Sequence, residues 1–119
     1  MNNDVASFVT VLLHSGTVTH LMHWSTDSYA KHQALGEYYQ SIIDKVDEYA
    51  EAYMGKYDQL KEFPSDFHTS DDPVEYLESM KDFVEKSREH LPQDTELMNL
   101  VDEIADLINS TLYKLRFLS

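Results

Sequence analysis

Apolar residues along this chain recur at intervals of three and four rather than alternately, and they do so in four blocks. The first, Val5, Phe8, Val9, Leu12, Leu13, Leu21 and Trp24, predicts a helix capped by Asn3 or Asp4. Its row Val9, Leu13, Gly16, His20, His23 starts apolar and ends in two imidazoles, with Gly16 marking a close backbone approach or a kink. Ser25–Ser28 is a polar break in which Asp27 or Ser28 can cap a second helix. That helix is predicted over Tyr29–Tyr53, with Leu35, Tyr39, Ile42, Ile43, Val46, Ala50 and Tyr53 as its core stripe and Gly55 as its C-cap.

A long connection over 56–72 follows, with Phe63 and Phe67 flanking Pro64 and room for a short helix around Tyr57–Glu62. The third helix has a sharp start, with Asp72 at N-cap, Pro73 at N1 and Glu75 at N3. Its stripe is Val74, Leu77, Met80, Val84 and Leu91. A break at Leu91-Pro92 and a cap at Asp94 introduce the fourth. There Leu97, Leu100, Val101, Ile104, Leu107, Ile108, Leu112, Leu115 and Leu118 make the most apolar stripe in the chain. The expected fold is all-α, a four-helix bundle forming one domain over 1–119. The long connection between helices 2 and 3 is expected to cross over along the bundle's length.

Composition sharpens this picture. Only three Gly and three Pro occur, which disfavours a sandwich or barrel, and the absence of Cys removes disulfides, thiolate metal sites and thiol chemistry. Net charge is −13, from 22 acids against 9 bases. A surface this acidic repels phosphate and argues against direct nucleic-acid binding. It suits cation attraction, plain solubility or mimicry of nucleic acid toward a basic partner. No apolar run approaches the ~20 residues that span a bilayer. The start MNND lacks the basic residues of a signal peptide, so the expectation is a cytoplasmic protein without membrane association.

The stretch His20–Glu51 carries the candidate chemistry. Three histidines (His20, His23, His32) lie in its first half, and Asp44, Asp47, Glu48 and Glu51 crowd its second. Imidazoles and carboxylates on two helices are the raw material of a metal site in a helical bundle, and equally of a solvated helix face with incidental histidines. With His32 at zero and about 100° per residue, Asp47 falls near 60° and Glu51 near 100°, on the border of the apolar stripe. Asp44, Glu37 and Glu48 fan outward toward water. Trp24 reads as a core or interface anchor, and the second-helix tyrosines (Tyr38, Tyr39, Tyr49, Tyr53) as core and interface. His14, His68 and His90 have no companions in sequence.

The segments His23-Trp24, Tyr29-Ala30-Lys31-His32 and Val46-Asp47-Glu48-Tyr49-Ala50-Glu51 resemble the metal-site signature of the Dps mini-ferritins, of the ferritin-like superfamily. That family ends its first helix in a His-Trp pair and places a second His near the start of the next. An Asp and a Glu come fifteen and nineteen residues after that His, where Asp47 and Glu51 stand here. Tyr113-Lys114-Leu115-Arg116-Phe117-Leu118 looks like the family's last helix. The resemblance is good over roughly residues 20–54 and thin elsewhere.

The chain departs from the family in a shorter loop before His32, in Gly36 where a further carboxylate is usual, and in lacking a Lys-rich DNA-holding tail. A small group of virus-encoded proteins is similar in this shortened form, which implies a host-cytoplasmic setting. The resemblance implies a homodimer or larger homo-oligomer with a metal site across a two-fold interface, His23 and His32 from one chain and Asp47 and Glu51 from the other. Iron would be oxidised there, with Mn or Zn suiting the same donors. Two other functions compete: a metal-free ferritin-like bundle acting as a protein-interaction or inhibitor module, and a nucleic-acid mimic. The mimic is weakened by Lys114 and Arg116 on the last turns of the fourth helix.

Overall fold

The computed structural model describes residues 1–65 and 69–119, so Phe67 and His68 lie outside the described residues. Four α-helices account for most of the chain: α1 (Asn2–Ser25), α2 (Tyr29–Lys56), α3 (Pro73–Ser87) and α4 (Thr95–Phe117), with a 3₁₀ turn at Arg88–His90 before α4. Among the described residues there is no strand, and the chain is an all-α helical bundle.

Cross-helix pairs set the direction of each helix. His20 on Tyr39, Ser15 on Tyr38 and Tyr53 on Asn2 make α1 and α2 antiparallel. Lys56 with Asp94, Lys45 with Glu103 and Lys114 with Glu37 do the same for α2 and α4. Arg88 with Asp102 and Arg116 with Glu78 do it for α3 and α4. Helices α1–α2, α2–α4, α4–α3 and α3–α1 pack as neighbours, leaving α2 and α3 diagonal. By this chain of antiparallel pairs α3 runs parallel to α2, so the connection between them traverses the length of the bundle, as expected from its size.

Local sequence explains most boundaries. Asp72 Oδ1 accepts from Val74 N at 3.1 Å and Glu75 N at 3.3 Å, and Ser28 Oγ accepts from Lys31 N at 3.2 Å. Several expectations need correction. The first helix starts at Asn2, ahead of both expected caps, and Asn2 instead accepts from Tyr53 Oη and donates to Asp58. Gly55 is no C-cap: no glycine has positive φ, and α2 continues to Lys56. No helix forms over 57–62, because Leu60 is drawn into the core and Asp58 is tied to Asn2. Asp94 precedes α4 without a capping bond, its carboxylate being held by Lys56 Nζ at 2.8 Å and Tyr57 Oη at 2.5 Å.

The core runs the length of the bundle and is rich in tyrosine. Tyr38, Tyr49 and Tyr53 are fully buried with Phe8, Leu12, Leu35, Ile42, Leu77, Ile104 and Ile108. Gly16 is a close approach rather than a kink: a Cβ there would sit 3.3 Å from Ile42 Cγ2 and 3.6 Å from the Tyr39 carbonyl. Helix α1 is, by length and composition, apolar enough to cross a bilayer, and 56% of its most apolar window is buried inside the bundle. Not every apolar position is covered. Leu13, Leu21, Trp24 and Ile43, expected in the core, are exposed, with Leu13, Trp24 and Ile43 on the outer α1–α2 face, and Leu118 lies beyond the end of α4.

Candidate metal centre

The end of α1 and the start of α2 meet across the Thr26–Ser28 turn, which brings His23 and His32 together. Their rings stack with centroids 3.7 Å apart and planes 17° from parallel. Each ring is fixed by the other's backbone. His23 Nδ1 lies 2.6 Å from the His32 carbonyl oxygen, and His32 Nδ1 lies 2.8 Å from the His23 carbonyl oxygen. A carbonyl can only accept, so both Nδ1 atoms donate, and each ring in its neutral form keeps an Nε2 lone pair. The His23 carbonyl falls in the last turn of α1, where no intrahelical donor reaches it, so the bond from His32 also closes that helix end.

Gly36 makes this packing possible. A Cβ at position 36 would meet His23 Cε1 at 2.9 Å and Nδ1 at 3.1 Å, so any side chain there collides with the imidazole. The ring occupies the space that a side chain at position 36 would need. His20, one turn before His23, is half-buried and lies flat on Tyr39, centroids 3.9 Å apart and planes 9° from parallel. Trp24 lies tilted against His20, ring centroids 4.6 Å apart, but is 67% exposed, so it is no part of this chain's core. Tyr29 is exposed beside His32.

Asp47 and Glu51 are both exposed on α2. They sit fifteen and nineteen residues from His32 on one continuous helix, about 22 and 28 Å away at 1.5 Å per residue. One chain therefore cannot bring them to the imidazoles, and among the described residues no three His, Asp or Glu side chains gather at one point. His32, Gly36, Tyr39, Ile43, Asp47 and Ala50 nevertheless share one stripe of α2, spanning about 80° on an ideal helix.

Two features were not read from sequence. The carbonyl partners of the imidazoles are backbone atoms and leave no residue signature. An open apolar pocket of about 350 Å³ lies at the Asp47 end, lined by Val9, Leu13, Val46, Ala50, Met54 and Phe63 among others. Its only trace in the sequence is the pair Phe63-Pro64 in the connection.

No curated protein and no solved structure matches the chain. Residues 23–115, from His23 through His32, Asp47 and Glu51 to the last turns of α4, match a family described as a family of unknown function, DUF5856, and the chain belongs to that family.

Proposed function

We propose that the protein is a ferritin-like, Dps-type metal-binding protein that takes up Fe(II) between two copies of the chain. His23 and His32 come from one copy and Asp47 and Glu51 from the other. The observation that carries this is the reciprocal Nδ1–carbonyl pairing of the two imidazoles. Metal-binding histidines donate their second ring N–H to such an acceptor, which fixes the ring and the tautomer and aims the remaining lone pair. Two nitrogen donors with carboxylates, and no sulfur, suit Fe(II), Mn(II) and Zn(II). Iron bound there would serve as the substrate of oxidation by peroxide or oxygen.

Charge pattern supports the pairing. Laying two α2 helices side by side in parallel sets Asp44, Asp47, Glu48 and Glu51 against their own copies. An antiparallel, two-fold arrangement sets them against His23, Lys31 and His32 instead. The uncovered apolar side chains Leu13 and Ile43 lie along the same outer face, Leu13 beside Val46 and Asp47 and Ile43 beside Gly16.

Zn(II), which cannot change oxidation state, tests the site by thermal unfolding with light scattering. A ligand that binds only the folded dimer at a hundredfold excess over its Kd adds about 2.7 kcal/mol. The wild-type chain should melt higher with Zn(II), and Asp47→Ala should lose that gain. Equal, metal-independent melting of both proteins refutes the reading. Gly36 favours a second reading, a metal-free bundle acting as a protein-interaction module, because a carboxylate is absent where the His23 ring sits. Elemental analysis of gently purified protein separates the two.

A further inference from the structure

The exposed indole of Trp24 and the open pocket beside Asp47 lie at opposite ends of the same α1–α2 face. We infer that they are two halves of one contact: Trp24 of one copy seats in the pocket of a second copy, and the reverse, giving two equivalent anchors per dimer. The inference rests on the two-fold pairing proposed above and adds to it the residues that hold the copies together.

Register carries the argument. Gly16 faces Tyr39, Ile42 and Ile43, so position 16 of α1 is level with about position 41 of antiparallel α2. Trp24, eight residues further on, is level with about position 33, consistent with the His23–His32 stack. A two-fold relation that sets His32 opposite the partner copy's Asp47 sends level n to about 79 − n, since 32 + 47 = 79. Trp24 therefore arrives at about level 46, where Val46, Asp47 and Ala50 line the pocket. Asp47 belongs both to the proposed pairing and to the pocket, so the register that would complete the metal site also delivers Trp24 to the pocket.

Chemistry agrees with position. Asp47 and the Thr10 hydroxyl are the polar side chains among the pocket's lining, which otherwise is aliphatic or aromatic. Such a surface suits a large ring with one N–H donor, and tryptophan is among the side chains enriched as anchors of this kind. The pocket shares Asp47 with the proposed metal site, so one approach of the second copy serves both.

Trp24 is the only tryptophan, which makes its fluorescence a direct readout. In metal-free protein, raising the concentration through dimerisation should shift emission to shorter wavelength and lower acrylamide quenching severalfold. Ala50→Phe fills the pocket and should leave Trp24 as quenchable as in the monomer, with helicity unchanged by circular dichroism. Asp47→Asn should lose Zn(II) stabilisation yet keep the shielded indole, which separates this contact from the metal site.

A dimer whose Trp24 stays fully quenchable overturns the contact even where Zn(II) still stabilises the protein. A chain that stays monomeric at every concentration overturns it as well. Should Ala50→Phe misfold, a mixture of Trp24→Cys and Ala50→Cys chains decides the matter in an otherwise cysteine-free background. A short thiol cross-linker should join unlike chains, and its failure to do so counts against the contact.

Discussion

Adding a single methyl group at Gly36 tests the geometry of the histidine pair without any metal. In Gly36→Ala the new Cβ would lie 2.9 Å from His23 Cε1 and 3.1 Å from Nδ1, so the ring has to leave its place. Leaving breaks the 2.6 Å bond from Nδ1 to the His32 carbonyl and the 3.7 Å ring stack. The hydrogen bond is worth about 1 kcal/mol and the stack about 0.5–1.5 kcal/mol. Replacing Gly by Ala inside a helix returns about 1 kcal/mol. The net expectation is destabilisation by about 0.5–1.5 kcal/mol, or roughly 2–6 °C in Tm for a chain of this size.

Gly55→Ala is the internal control. It lies in the last turn of α2 with nothing within 4 Å of a Cβ, so it should stabilise by about 0.5 kcal/mol. Urea titrations of the two variants and the parent, read at constant m, give the comparison. The His23 ring resonances should move in Gly36→Ala only. If both alanines stabilise alike, the imidazole is not seated against Gly36 and the reciprocal pairing is wrong.

Two further outcomes follow from the core and the α2–α4 seam. The Tyr49 hydroxyl is buried without a hydrogen-bond partner, and burial pushes its pKa well above the ordinary phenol range. Tyr49→Phe should leave urea stability unchanged or raise it by up to about 1 kcal/mol, whereas Tyr38→Phe, which loses a 2.8 Å bond to Ser15, should cost about 1 kcal/mol. At the seam, hydrogen bonds from Lys56 and then Tyr57 hold the Asp94 carboxyl below its ordinary pKa. A carboxyl depressed in the folded state stabilises above its unfolded pKa of about 3.9 and loses that contribution as pH falls through the lower folded value. The stability gap between wild type and Asp94→Asn should therefore narrow on acidification below about pH 4, and a gap that widens there refutes the assignment.

Helix count, order and the crossing connection were legible because each rests on local or periodic signals: an N-cap at Asp72 followed by Pro73, a break at Leu91-Pro92, and apolar spacing throughout. What periodicity does not reveal is which apolar face a neighbour covers. Leu13, Leu21, Trp24 and Ile43 continue their stripes yet remain exposed, since a stripe wide enough for two contacts looks like one wide core face. Asp94 has the identity of a cap, but a lysine and a tyrosine arriving from α2 compete for the same oxygens. Residue types and offsets single out His23, His32, Asp47 and Glu51, and within one chain only the two histidines come together. The pairing of His23 with His32 depends on backbone carbonyls and on the emptiness of Gly36, which no spacing encodes.

The placement of the few basic residues bears on why a chain with net charge −13 would bring two acidic surfaces together. Lys45, Lys56 and Lys114 pair between α2 and α4, while Arg88 and Arg116 pair between α3 and α4. Exposed pairs of this kind add little energy each. Their effect is positional, because they draw cationic side chains to the α4 side of the bundle. Asp44, Asp47, Glu48 and Glu51 enter no ion pair among the described residues, so negative potential is left uncompensated at one end of α2. Under the pairing proposed above, a second chain in antiparallel register would offer imidazoles, Lys31 and an indole N–H in place of more carboxylates, and a divalent cation at the junction would neutralise what remains. On this reasoning, Zn(II) should shift the monomer–dimer equilibrium read by light scattering toward the dimer, and an equilibrium indifferent to Zn(II) refutes the cation's part in it.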